Sequence, residues 1–282
     1  MAAETIPLAA VVRTPADYRS ELKPIWCPGC GDFAVLAAIQ QALAALQVDP
    51  KDLAVVSGIG CSSRLPAFLN AYGLHTVHGR ALPTATGLKL ARPELTVLAV
   101  GGDGDFFSIG LGHLPHAVRR DVNLTCIVMD NEIYGLTKGQ TSPTSPMGHV
   151  TKSTPHGNRA APLHPLMIAI ASGATFVARG FSGQPRQLAE LIRDGIAHPG
   201  FSFIHAMSPC VTFNDTYKLY KEQVYSLPAD HDPRDTQAAI RYALESERLP
   251  LGLIYHAPRA GQAAAPAPQP FDTTRYLERY RA

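Results

Sequence analysis

Four cysteines, at positions 27, 30, 61 and 210, and one carboxylate set between glycines, Asp103 in GGDGD at 101–105, are the residues whose type and spacing suit chemistry. Two of the thiols lie three positions apart in CPGC, ahead of a helical pattern. Such a pair serves a redox dithiol, half of a zinc site or half of an iron–sulfur site. Cys61 follows Gly58 and Gly60 after an apolar run, and Cys210 follows Pro209 after FSFIHAM, so both are expected in loops that leave strand ends. A dithiol leaves these two unexplained; zinc and iron–sulfur stand level on spacing alone. Cys126 falls inside NLTCIVMD and is expected to be a buried apolar residue.

Asp103 offers a hard oxygen to a cation such as Mg²⁺, and Gly102 and Gly104 leave the backbone open to a diphosphate. A Gly-Asp-Gly alone is most often a tight turn. Here LTVLAV runs into it, and the next apolar run ends at Asn131. Two oxygen ligands at the carboxyl ends of successive strands are what a Mg²⁺–diphosphate requires, and open α/β sheets bind ligands at that edge.

The elements that must position these residues alternate. Strands are expected at 53–58, 95–100, 123–130, 175–179 and 201–207, and helices at 32–47, 81–92, 107–119, 164–172 and 186–197. Short apolar runs between helical stretches indicate an α/β fold, a doubly wound, mostly parallel sheet with helices on both faces. Asp32 is expected to cap the first helix. Residues 138–163, rich in Pro, Ser, Thr and Gly, form a long loop that reads as a lid. The expected division is a cofactor domain over 1–228, with its core at about 20–225, and a partly helical C-terminal extension over 229–282, flexible near 261–270.

The chain has 282 residues, 46% hydrophobic and 17% charged, and a net charge of +2, so nothing marks a nucleic-acid surface. No segment reaches the length of a membrane span, no basic region precedes the apolar patch at the N-terminus, and five cysteines do not make a secreted disulfide framework. A cytoplasmic protein is expected.

Longer phrases carry a resemblance. GDG followed by Asn 28 residues after its Asp resembles the diphosphate motif of thiamine-diphosphate enzymes. WCPGCGDF, GIGCSSR, HGRALPTATGLKLA, GDGDFFSIG, DNEIYGLTKGQTSPT and SPCVTFN are similar to the beta subunit of the 2-oxoacid:ferredoxin oxidoreductases, over about residues 20–225. The resemblance implies Mg²⁺ held by Asp103, Asn131 and the Ile133 carbonyl, thiamine diphosphate against Gly102, Gly104, Asp105 and the run Tyr134, Gly135, Leu136 and Thr137, and one [4Fe–4S] cluster on Cys27, Cys30, Cys61 and Cys210. Asp105 reads equally as a helix-start residue. Arg64 is a candidate for a substrate carboxylate or a surface ion pair, and His78 for the cofactor or a structural role. His75 and His205 are expected to be core or supporting histidines, and Thr137 and Gln140 to lie near the pyrophosphate or the lid.

The implied reaction is the oxidative decarboxylation of a 2-oxoacid to acyl-CoA and CO₂, with electrons leaving for ferredoxin. The phrases lie closest to 2-oxoglutarate enzymes, with pyruvate next. An alpha subunit is the implied partner, in an α₂β₂ assembly, and the chain alone is expected to turn over little. A thiamine-diphosphate lyase with structural zinc and a non-catalytic scaffold are the lesser alternatives.

Overall fold

The structure, a computed structural model, describes residues 12–257. Its frame is an eight-stranded sheet. In chain order the strands are β1 (Leu53–Ser57), β2 (Tyr72–His75), β3 (Thr96–Gly102), β4 (Leu124–Asp130), the two-residue pair β5 (Ile133–Tyr134) and β6 (Gln140–Thr141), β7 (Phe176–Phe181), β8 (Phe201–Met207), β9 (Val224–Ser226) and β10 (Leu249–His256). The sheet runs β2-β1-β3-β4-β8-β7-β10-β9, and β5 and β6 form a separate hairpin. Neighbours are parallel except β10 on β7.

The helices are α1 (Asp32–Ala45), α2 (Ala81–Ala91), α3 (Asp103–Phe107), α4 (Leu114–Arg119), α5 (Pro165–Ala171), α6 (Pro185–Ala197), α7 (Tyr217–Gln223) and α8 (Thr236–Leu244). Side chains of a strand alternate between faces, so a central strand serves two cores. Leu53 and Val55 of β1, with Leu98 and Val100 of β3, pack under α1 and α6. Ala54 and Val56, with Val97 and Ala99, pack under α2, α4, α5 and α8. That two-sided burial is why these strands read as continuous apolar runs. The fold is the expected doubly wound, mostly parallel α/β type.

Three local expectations change. The helix expected over 107–119 is broken into α3, a 3₁₀ turn at Leu111–His113 and α4. The break lies at Gly110, where a Cβ would stand 2.4 Å from the Asp105 carbonyl and 3.1 Å from the Gly79 Cα. Two chain segments cross too closely there for a continuing helix. Asp32 does not cap α1: the N-cap is Gly31, and the Asp32 carboxylate turns into the protein. The extension expected from residue 229 contributes α8 and β10 to the main frame, β10 by hydrogen bonding to β7. The segment near 261–270 lies outside the described residues. No helix among the described residues is long and apolar enough to cross a membrane.

Candidate functional site

The chain leaves β1 for the edge strand β2 and returns across it to β3, so the strand order reverses between β1 and β3. Ligands of open α/β sheets enter the crevice at the carboxyl ends of such strands. A cavity of about 380 Å³ lies there. Its wall is built by the loop after β1 (Ile59–Ser62), the turn after β3 (Gly102–Asp105), Asn131 and Ile133 after β4, the segment Tyr134–Thr137, His78 and Gln140.

Asp103 and Asn131 come together because β3 and β4 are parallel neighbours, with Gly102 opposite Met129. Both are buried, and the Asn131 amide approaches the Asp103 carboxylate at 3.4 Å. Glu132 adopts a left-handed backbone (φ +58), which turns the chain sharply enough for the Asn131 side chain to accept from the Ile133 amide at 3.1 Å. Asn214, four residues beyond Cys210, donates to the Asn131 carbonyl at 2.9 Å.

The partner of Asp103 carries no signal in the sequence. Thr144, in the expected lid loop, places one hydroxyl 2.9 Å from Asp103 and 2.8 Å from Asp130. One proton is shared by two buried carboxylates. Burial first, and Asp130 second, push the Asp103 carboxyl well above the usual carboxylate range. Behind Asp130 runs a fixed chain: the Arg179 Nε donates to the His205 Nδ1 at 3.2 Å, so the opposite nitrogen of His205 carries the proton that faces Asp130 at 2.8 Å. Asp130 is thereby held by His205, whereas Asp103 has no basic side chain within hydrogen-bonding reach among the described residues to offset its burial. A carboxylate in that position could hold a divalent cation. Within the loop, Ser142, Thr144 and Ser145 are buried against the site, whereas Pro146–Gly148 are exposed.

The other predicted residues sort by what they touch. Asp105 is buried and holds loops: its Oδ1 accepts from the Ile59 amide at 3.1 Å and the Gly79 amide at 2.6 Å, and His78 Nδ1 stands 2.9 Å away. Gly104, expected to leave room for a ligand, is instead covered by the ring of Tyr134, 2.3 Å from where a Cβ would stand, and the Tyr134 hydroxyl donates to the Gly104 carbonyl at 3.0 Å. Gly102 is open, with no atom closer than 3.6 Å to its Cβ position. Thr137 and Gln140 are bonded to each other. Arg64 does not line the cavity; burial raises the Cys61 thiol, the nearby Arg64 offsets this only in part, and Arg64 makes no side-chain hydrogen bond or ion pair among the described residues. His75 is exposed on β2 and bonded to Ser57 at 2.9 Å.

The cysteines gather beside the same cavity. CPGC is a tight turn, with Gly29 at φ +86 and the Cys30 amide donating to the Cys27 carbonyl at 3.0 Å. Pro and then a left-handed Gly in the central positions are what a type II turn demands. The Cys61 and Cys210 sulfurs lie 3.7 Å and 3.6 Å from one point, the Cβ position of Gly135. Cys61 and Gly135 also line the cavity. Burial, then Asp32 and then Cys210, push the Cys61 thiol up to about 11, while burial and Asp32 raise Cys30 further, with Cys210 and Cys61 adding smaller effects. Cys30, Cys61 and Cys210 thus lie near enough to disfavour one another's thiolates, yet among the described residues no three His, Cys, Asp or Glu side chains converge to hold a single metal ion. Cys126 is fully buried in β4.

Glu132 gives a pH prediction. Burial first, and Asp130 second, push its carboxyl up to about 7. A raised carboxylate favours the fold below its ordinary value, and that contribution is lost as pH rises through the folded value. Glu132→Gln is therefore expected to leave thermal stability of the cofactor-free chain unchanged at pH 4 and to raise it at pH 8, by about 2 kcal/mol. Melting curves across that range check it; a constant difference would contradict the assignment.

Comparison with known proteins agrees with this geometry. A family model described as thiamine pyrophosphate enzyme, C-terminal TPP binding domain, matches residues 58–206, and one for the C terminal of the pyruvate ferredoxin oxidoreductase beta subunit matches 210–263. The chain is 46% identical over 257 residues to the 2-oxoacid:ferredoxin oxidoreductase 1, subunit beta, of Aeropyrum pernix, covering 86% of this chain and 81% of that protein. It is 47% identical over 199 residues to the 2-oxoglutarate oxidoreductase subunit KorB of Mycobacterium tuberculosis, covering 71% of this chain and 53% of that protein. Among solved structures, the 2-oxoglutarate:ferredoxin oxidoreductase from Magnetococcus marinus, with 2-oxoglutarate, coenzyme A and succinyl-CoA bound, superposes with a TM-score of 0.86 at 45% identity, covering 95% of this chain and 91% of that one. A thiamine pyrophosphate domain spanning the strand ends that carry Asp103 and Asn131, joined to relatedness over four fifths of such a subunit, means that this chain belongs to the beta subunits of the 2-oxoacid:ferredoxin oxidoreductases.

Proposed function

We propose that this chain is the cofactor-bearing subunit of an enzyme that oxidatively decarboxylates 2-oxoglutarate to succinyl-CoA and CO₂, passing electrons through a [4Fe–4S] cluster to ferredoxin. The observation that carries the reading is the pair of buried carboxylates, Asp103 and Asp130, sharing the Thr144 hydroxyl at the switch point of the sheet, beside a cavity that also exposes Cys61. Asp103, the Asn131 side chain and the Ile133 carbonyl would hold Mg²⁺, and the open backbone at Gly102 suits the diphosphate. Cys27, Cys30, Cys61 and Cys210 would hold the cluster. Four thiolates complete either a zinc site or a cubane cluster, and the cluster is chosen because the relatives are ferredoxin oxidoreductase subunits.

When bound, thiamine diphosphate supplies an electron sink for decarboxylation and the cluster a one-electron acceptor. The chain's own residues position and neutralise. His78 faces the cavity with its Nδ1 at Asp105 and is available to the cofactor or substrate. An apolar rim of Ile59, Val77, Ile109 and Leu136, each at least 38% exposed, borders the site, and we place the alpha subunit over it.

The choice of 2-oxoglutarate rests on the KorB relatives and on the ligands of the Magnetococcus enzyme. In this chain Arg64, without a carboxylate partner, is the candidate for its second carboxylate. Arg64→Met is expected to raise KM for 2-oxoglutarate about thirtyfold, since charge-assisted hydrogen bonds contribute about 1.5–3 kcal/mol, while changing pyruvate kinetics by about threefold at most. Equal losses on both substrates would remove Arg64 from substrate selection. The cofactor assignment is tested by assaying the chain, co-produced anaerobically with its alpha partner, for iron, acid-labile sulfide and thiamine diphosphate. Zinc without sulfide would favour the lyase reading.

A further inference from the structure

Asp32 is a fully buried carboxylate with no cation beside it among the described residues, which is costly. Burial pushes it up to about 6 despite hydrogen bonds that lower it. Its place in the fold explains what it does. Its Oδ2 accepts from the Ser62 hydroxyl at 2.9 Å and its Oδ1 from the Ser208 hydroxyl at 2.6 Å. Ser62 is the neighbour of Cys61, Ser208 lies two residues before Cys210, and Asp32 itself lies two residues after Cys30. The three cysteine-bearing segments come from distant parts of the chain, and both serine hydroxyls are fully enclosed.

Other bonds join these segments only in pairs. Trp26, the residue before Cys27, donates from its ring nitrogen to the Cys61 carbonyl at 2.7 Å, and the Gly31 amide donates to the Pro209 carbonyl at 3.1 Å. Asp32 is where all three meet. The fit is also sterically close: a Cβ on Gly31 would stand 2.6 Å from the Ser208 hydroxyl oxygen.

We propose that Asp32 is a positioning residue that clamps the Cys61 and Cys210 loops to the CPGC turn, so that the four thiols are arranged before a cluster is assembled. This rests on the cluster assignment above. Partners that orient the ligands of a metal group commonly change its binding by about 10–100-fold when removed. A buried carboxylate beside the thiols also adds negative charge, and net charge and hydrogen bonding set the potential of an iron–sulfur group.

Four forms of the chain, each co-produced anaerobically with the alpha partner, separate these roles: wild type, Asp32→Ala, Asp32→Asn and the double variant Ser62→Ala/Ser208→Ala. Serine hydroxyls both donate and accept, so an asparagine keeps both contacts and removes only the charge. Iron and sulfide per chain are expected to fall about tenfold in Asp32→Ala and in the serine double variant, with thiamine diphosphate content retained. Asp32→Asn is expected to load as wild type and to show a higher cluster potential. Full loading of Asp32→Ala with an unaltered electron-resonance spectrum overturns the proposal and leaves the cluster assignment standing.

If Asp32→Ala loses thiamine diphosphate as well, the serine double variant decides, since it keeps the buried carboxyl: full loading there overturns the clamp. If wild type itself carries no iron or sulfide, the cluster assignment falls, and the clamp is decided on the metal-free chain by dibromobimane bridging of Cys61 to Cys210. Bridging that persists unchanged in Asp32→Ala overturns it; bridging lost in that variant supports it.

Discussion

Asp103→Asn is expected to abolish magnesium and thiamine diphosphate binding, and with them roughly a thousandfold or more of the activity, while making the cofactor-free chain more stable. Both effects come from one arrangement. Asp103 and Asp130 share a single hydroxyl proton at Thr144, and burial denies them water. An asparagine at 103 donates to the Thr144 oxygen while that hydroxyl donates to Asp130, so every group is satisfied. The expected gain is about 1 kcal/mol in thermal unfolding of the cofactor-free chain. Adding Mg²⁺ and thiamine diphosphate at a hundredfold excess over Kd is expected to stabilise wild type by about 2.7 kcal/mol and the variant not at all. A variant that is destabilised without cofactor, yet still stabilised by it, would contradict the cation site.

The second large effect concerns the thiols. Cys61→Ala and Cys210→Ala are each expected to remove most of the iron and sulfide and to leave about 1% or less of the dye-reducing activity, since each deletes a ligand outright. Cys126→Ala is the control. Its thiol is fully buried in β4 among apolar neighbours, so its loss is expected to cost about 1 kcal/mol of stability and no iron. Retention of the full iron content by Cys210→Ala would remove that residue from the ligand set.

The frame of this site was legible because its signals are local. The runs that became β1, β3, β4 and β8 are buried on both faces, and a strand that ends in GDG or in Asn announces its own carboxyl end. Asp103 and Asn131 pair as soon as β3 and β4 are neighbours. Thr144 could not be found that way. It comes from a loop without periodicity, and its contacts with Asp103 and Asp130 span 41 and 14 residues. The same holds for Asp32, whose type and position match a helix cap, but whose serine partners lie 30 and 176 residues away. A side chain's destination is tertiary information.

Smaller departures have the same origin. β2 is four residues long and mostly exposed at the sheet edge, so it lacks the apolar signature of the central strands. β10 carries Pro250 and a left-handed Gly252, which weaken any strand pattern, yet the sheet accommodates both beside an irregularity in its pairing with β7. The break before α4 arises from Gly110 meeting Gly79, a contact between segments 31 positions apart.

The most direct test of the central claim is anaerobic reduction of a viologen dye by this chain co-produced with its alpha partner, with 2-oxoglutarate or pyruvate, each with and without coenzyme A. The expected result is dye reduction with 2-oxoglutarate that requires coenzyme A, with pyruvate clearly slower. Reduction with pyruvate alone would overturn the substrate assignment and keep the chemistry; no reduction with either 2-oxoacid, in a preparation that carries iron, sulfide and thiamine diphosphate, would contradict the proposed reaction for both.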